Sequence, residues 1–298
     1  MKLETGGTDV RVLAGRDGFV SIFAAIRTKA SGDRLLAWAG EIELLQKGKY
    51  VPEIGRFSAP PRVEDLAGLV FEDDDLEEIH RCRLGNCGVK LSDGEIVQVQ
   101  RVIGASDWKA LLQGELRQIL VQRAREYLLA GDAGAPLYHD DRKPVSPSEV
   151  FTLLVQRLLF LPRHFGCLTT YVRQYPGSGD AHVVGSFLYW SKESLGAKPI
   201  ISITHLTLAR FDDPWLPETL VVAKQVFATH YKNGSVTVTA ITRSGPERYL
   251  VFVHPFQVDL IHGIFGGLVS RMMERRVRCE APGVLLGLRK RLEGGDPP

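Results

Sequence analysis

The order of periodicities along this chain predicts an α+β fold. A curved antiparallel sheet packs on a long C-terminal helix, with a helical insertion at about 106–175. Three observations carry the prediction. From 183 the apolar period changes from helical to about two, and strand-like runs follow one another with no βαβ alternation. An amphipathic segment at 259–279 comes next, dense in glycine at its start. A strand-like run and short helical pieces come early, ahead of a clear long helix at 106–130. At 298 residues the chain can bury one large core, and no Gly/Ser linker bounds the insertion, so 1–298 reads as a single domain.

The elements follow in order. Phe19–Thr28 is rich in β-branched and aromatic residues and reads as a strand. Ser31 caps a short helix on which Leu35, Leu36, Trp38, Ala39 and Ile42 recur at helical spacing. Residues 51–61 are extended and end at Pro60-Pro61. The acidic stretch 72–78 reads as a solvated loop and helix start, because it lacks the glycine and terminal glutamate of a calcium loop. Gly88–Ser92 and Glu95–Gln100 read as short strands. In 106–130, Trp108, Leu111, Leu112, Leu116, Ile119, Leu120, Tyr127 and Leu128 form the apolar stripe. Two further helical segments, about 148–160 and 164–174, end before Pro162 and Pro176. The strands of the second half are 183–192, 199–210, 220–231, 235–243 and 248–254. Lys232-Asn-Gly234 reads as the tight turn that pairs the third and fourth as a hairpin.

Charge excludes one class of partner. Lys+Arg 37 against Asp+Glu 35 leaves a net charge of +2, too little for an electrostatic nucleic-acid binder. Arg271, Arg275, Arg276, Arg278, Arg289, Lys290 and Arg291 make 271–291 locally basic, which reads as a solvated helix face or as peripheral contact with acidic headgroups or an acidic partner. No run reaches the ~20 apolar residues of a membrane span. The N-terminal decapeptide has no apolar signal core, so the chain reads as cytosolic or as a processed form of an exported protein.

No catalytic motif stands out. Cys82-x4-Cys87 lacks zinc half-site spacing; it reads as a small disulfide in an exported protein and as two thiols otherwise, and no metal or cofactor is expected. Strand alternation places His205 on one face with Ile201 and Ile203, and His230 on one face with Lys224, Val226 and Ala228. A histidine or lysine on an apolar strand face reads either as a satisfied core group or as a polar group of a pocket. Tyr189, Trp190 and Phe227 are core or ligand-facing aromatics of the same sheet. Gly263 and Gly267 mark close approach of the helix to the sheet or to a ligand; they have no phosphate-loop context.

Several blocks together resemble a family of uncharacterised, often exported bacterial proteins: 54–61, Cys82-x4-Cys87-Gly-Val-Lys-Leu91, Tyr189-Trp-Ser-Lys192, 198–205 and 224–231. That resemblance implies no activity. The order of strand, two short helices, antiparallel strands and long terminal helix resembles the helix-grip fold of the START and polyketide-cyclase-like superfamily. That likeness implies an apolar ligand between sheet and C-terminal helix. Three readings follow: a binding module for a lipid-like small molecule, an enzyme using His205, Lys224, His230 or Asp259 as acid–base groups, and a structural or envelope-associated protein.

Overall fold

The computed structural model describes residues 7–15, 18–141, 143–194, 198–259 and 266–297, side chains excepted at 14 and 266–273. It is an α+β structure built on one open, curved sheet of eight strands in the order β1-β2-β8-β7-β6-β5-β4-β3, each neighbouring pair antiparallel. The strands are β1 (Thr8–Ala14), β2 (Phe19–Thr28), β3 (Glu53–Arg56), β4 (Val183–Glu193), β5 (Ile200–Arg210), β6 (Thr219–Ala228), β7 (Lys232–Ser244) and β8 (Glu247–Val258). The helices are α1 (Gly32–Gly40), α2 (Ile42–Gln46), α3 (Asp73–Arg81), α4 (Asp93–Gln100), α5 (Trp108–Ala130), α6 (Pro147–Arg157), α7 (Phe160–His164), α8 (Gly166–Gln174) and α9 (Gly266–Gly294).

Helices cover both faces of the sheet, and strand alternation divides the core accordingly. On the first face Ala24, Ile26, Tyr189, Leu206, Leu208, Val221, Ile241 and Leu250 pack with Leu35, Leu36 and Ala39 of α1 and with Leu285 and Leu292 of α9. On the second face Leu188, Trp190, Ile201, Ile203 and Phe227 meet α3–α5, and Val222, Val236, Val238 and Ala240 meet α6–α8. The helical layer on the second face starts well before residue 106: Leu66, Leu69, Phe71, Leu76 and Ile79 share a core with Leu112, Leu116 and Leu120 of α5. Each fully buried leucine of this layer contributes about 2 kcal/mol of apolar burial.

Three expectations are corrected. Residues 95–100 are helical, not a strand. Ser92 Oγ accepts from Glu95 N while Glu95 Oε2 accepts from Ser92 N at 2.7 Å, a capping box that starts α4, and Ile96 and Val99 then share its buried side. Gly88–Leu91 is not a strand either; its Lys90 N–H donates to Thr229 O at 3.0 Å from a loop. β6 and β7 do pair, with Lys224 opposite Val236, but the turn is Thr229–Tyr231, with Tyr231 at φ 60°. Lys232-Asn-Gly234 instead lies inside β7, where the register against β8 slips by one residue.

The terminal helix runs from Gly266 to Gly294, past the expected end at 279 and through Pro282, because Leu285, Leu288 and Leu292 continue an apolar stripe onto α1. Gly263 and the rest of 260–265 lie outside the described residues.

Candidate functional site

The first sheet face is covered at both sides and left half-open between them. α1 lies across β5, β6 and β7 near one end of the sheet, and α9 runs along β1 and β2, where Val277 packs on Val12, Val20, Ile22 and Phe256. Between these walls runs a strip of half-buried side chains: Ala223 and Gln225 on β6, Thr237 and Thr239 on β7, Phe252 and His254 on β8. On β6 and β7 the opposite face, at Val222, Val236 and Val238, is fully buried under α6–α8, while on β8 Val251 and Val253 are half-buried like Phe252 and His254.

This floor is polar and internally hydrogen-bonded. Thr237 Oγ1 and His254 Nδ1 lie 2.8 Å apart, and Ser235 Oγ donates to Gln225 Oε1 at 3.1 Å. At the β4 end, Glu193 accepts from Ser202 Oγ at 3.0 Å and from Lys232 Nζ at 2.7 Å. Burial raises the Glu193 carboxyl, but Lys232 and Ser202 outweigh it and hold the group below the usual carboxylate range. Burial and then the Lys232 charge push the His254 imidazole down to about 4, so the ring is neutral near pH 7. Tyr189 closes this end; burial raises its phenol to about 12 and Gln46 Nε2 donates to its hydroxyl at 3.4 Å. The strip therefore offers a neutral imidazole, hydroxyls, an amide and a carboxylate beside Phe252 and Ala223.

Of the described strand residues singled out in the sequence, Tyr189 alone lies on this first face. His205, Lys224, Trp190 and Phe227 point to the opposite face, beneath the insertion, which corrects their assignment to a pocket under the C-terminal helix. There each has a structural partner. Trp190 Nε1 donates to Asp65 O at 2.8 Å, and its indole fills the space that the missing side chain of Gly55 leaves. Phe227 carries the Arg123 guanidinium 4.1 Å from its ring centroid. His205 has Ser186 Oγ 2.6 Å from Nε2 and Tyr127 OH 2.8 Å from Nδ1, and burial, with a smaller push from Lys224, lowers its pKa to about 3. Lys224 Nζ meets Asp132 Oδ1 at 2.5 Å and donates to Val172 O at 3.2 Å, 3.9 Å above the Phe151 ring. Burial lowers its pKa and Asp132 opposes the shift. A cleft of about 510 Å³ between α6 and the outer side of this pair is lined by Asp132, Ser148, Phe151, Thr152 and Arg173.

The remaining expected acid–base groups do not join them. His230 sits in the β6–β7 turn against Asp75 and Gly88, and Asp259 Oδ2 pairs with Lys90 Nζ at 2.5 Å. His230 and Asp259 are thus partnered apart from the neighbouring His205 and Lys224. Gly267 lies in the first turn of α9. Cys82 and Cys87 form a disulfide between α3 and the following loop. The basic 271–291 segment is partly self-compensated: Arg276 pairs with Glu280 at 3.2 Å, Arg278 with Glu274 at 2.8 Å and Arg289 with Glu293 at 4.0 Å. No described helix is long and apolar enough to cross a membrane.

Sequence reasoning missed Gln225, Thr237, His254 and Glu193. Their signal is present on β7, where Ser235, Thr237 and Thr239 alternate with Val236, Val238 and Ala240. Such alternation reads as a solvent-facing strand side, and here that side is half-buried between α1 and α9.

No protein-family model matches the chain, and no curated protein matches it. The crystal structure of TTHA0849 from Thermus thermophilus aligns with a TM-score of 0.28 at 13% identity, over 50% of this chain and 91% of that one, a likeness too weak to argue from.

Proposed function

We propose that the protein binds a small molecule with an apolar body and a polar end, in the groove between α9 and α1. The observation that carries this reading is the half-buried strip Ala223, Gln225, Thr237, Thr239, Phe252 and His254, backed on β6 and β7 by the fully buried Val222, Val236 and Val238. The strip is more polar than a typical ligand pocket, with Gln225, Thr237, Thr239 and His254 beside Ala223 and Phe252, so its hydrogen-bonding groups would fix a ligand's orientation while the aromatic ring contacts its apolar part. A helix-grip reading of the element order would put a ligand in the same place. β2 lies beside β8, α1 and α2 follow β2, and the long terminal helix covers the same face. The ligand envisaged is more polar at one end than a pure lipid chain, because Thr237, His254 and Gln225 would be desolvated beneath it.

The test is fluorescence titration with 1-anilinonaphthalene-8-sulfonate as a groove probe, followed by mass spectrometry of an organic extract of the purified protein. Thr239→Trp, which fills the middle of the strip, should abolish saturable probe binding while leaving the circular dichroism spectrum unchanged. Equal probe affinity in Thr239→Trp and the parent would overturn the reading.

A further inference from the structure

We propose that Asp75, Glu78 and His230 form a binding site for a divalent transition-metal ion, with zinc as the best-matched probe. The donor atoms of the three side chains all lie within 4.8 Å of one another. Asp75 and Glu78 stand at i and i+3 on α3, so both carboxylates project from one side of that helix. His230 reaches them from the β6–β7 turn, more than half the chain away in sequence, beside Tyr231 with its positive φ of 60°.

The hydrogen bonds of His230 define the site. Its Nδ1 lies 2.7 Å from Gly88 O, and a carbonyl can only accept, so Nδ1 carries a proton. In the neutral ring Nε2 then presents a lone pair, and it faces Asp75 Oδ1 at 3.2 Å. A lone pair and a carboxylate oxygen repel unless a cation or a second ring proton stands between them. A backbone carbonyl that fixes the tautomer is also the usual outer partner of a metal-binding histidine. Both side chains are buried, each 3% exposed, so water does not screen that repulsion.

Size and charge fit a transition ion. Zinc–nitrogen and zinc–oxygen bonds of roughly 2.0–2.2 Å place tetrahedral donors about 3.3 Å apart, close to the Asp75–His230 separation. Two carboxylates and one neutral imidazole balance a 2+ charge, and a mixed N/O set suits zinc rather than the all-oxygen shells of calcium or magnesium. A Cβ at Gly88 would press on the Glu78 carboxylate, which packs against this loop. Glu78 is half-buried and also pairs with Lys198 through one of its two carboxylate oxygens. An ion here would fasten α3 to the β6–β7 turn, and with three protein ligands it would keep one position open to water or another ligand.

The test uses the full chain with the Cys82–Cys87 disulfide intact and Cys167→Ser and Cys279→Ser in place, because both free thiols are exposed and would bind zinc themselves. After chelator treatment, zinc chloride is titrated by isothermal calorimetry and bound metal is counted by mass spectrometry. One ion per chain and a zinc-dependent rise in Tm are expected. Glu78→Gln, which preserves shape at a half-exposed position, should weaken Kd at least about tenfold and remove the Tm shift. His230→Ala should do the same, with circular dichroism confirming the fold. Zinc binding of equal tightness in Glu78→Gln overturns the proposal. So does the absence of bound zinc, with nitrogen NMR showing protons on both ring nitrogens of His230, since the ring is then an imidazolium paired with Asp75.

Discussion

His205 should make the protein lose stability steeply as pH falls below neutrality. The ring is buried between Ser186 and Tyr127, and its pKa is about 3 in the fold against 6.5 for an unperturbed imidazole. Between those two values the unfolded chain takes up a proton that the folded chain refuses, so unfolding is favoured as pH drops. The contribution is fully present above pH 6.5 and disappears progressively toward pH 3. Every pH unit between the two values corresponds to about 1.4 kcal/mol, so the whole window is worth roughly 4–5 kcal/mol as an upper figure. The perturbation is His205→Gln, which keeps a polar partner for Ser186 but has no titrating group. At pH 7.5 the variant should be less stable by about 1–2 kcal/mol, since Tyr127 loses its partner. At pH 4.5, two pH units into the window, that deficit should have shrunk by about 2.5 kcal/mol, leaving the variant as stable as the parent or more so. Urea unfolding followed by tryptophan fluorescence at pH 7.5, 6.0, 5.0 and 4.5 measures the difference. Taking the difference cancels His254, whose pKa is also lowered, to about 4, because it titrates in both proteins. A deficit that stays constant from pH 7.5 to 4.5 would refute the assignment of His205 as a buried neutral ring.

Two further outcomes follow from the second sheet face. Asp132→Asn removes the partner of the buried Lys224 ammonium and should cost about 3 kcal/mol in urea unfolding, whereas Lys224→Met should cost much less, because Asp132 retains contact with solvent; equal costs would contradict the ion-pair account. Gly131→Ala should cost about 3 kcal/mol, since Gly131 has φ +58° and a Cβ would collide with the Tyr175 carbonyl oxygen; an unchanged Tm would show that the α5–α8 junction can relax.

β2 and β4–β8 were legible because they carry β-branched residues in runs bounded by breakers, and Phe19–Thr28 matches its expected limits, whereas the edge strand Thr8–Ala14 was not expected and Glu53–Arg56, with one β-branched residue, read only as extended chain. Which face each strand presents to which helix was not legible, and the reason lies in β5. Every residue from Ile200 to Ala209 is buried, so Ile201, Ile203 and His205 on one side are as apolar in setting as Leu206 and Leu208 on the other. Alternation correctly grouped His205 with Ile201 and Ile203, but a sheet covered on both sides gives no polarity contrast to say which group meets α9. On β6 the period itself breaks. Ile203 pairs with Phe227 and Thr204 with Gln225, so the ladder skips Val226, and Phe227 joins Lys224 on the insertion face. Beyond this bulge the parity that grouped His230 with Lys224 no longer applies, and the turn delivers His230 to Asp75 on α3 instead. Asp75, Glu78 and His230 come from segments about 150 residues apart, brought together where α3 and the Gly88 loop meet the β6–β7 turn. No local spacing announces such a cluster, whereas the capping box Ser92-x-x-Glu95 was written in adjacent residues and overruled the strand-like alternation that follows it. The features that decide where chemistry can occur in this chain are thus the long-range ones: a bulge, a turn and a second helical layer. Each relocates a side chain without changing the type of the element that carries it.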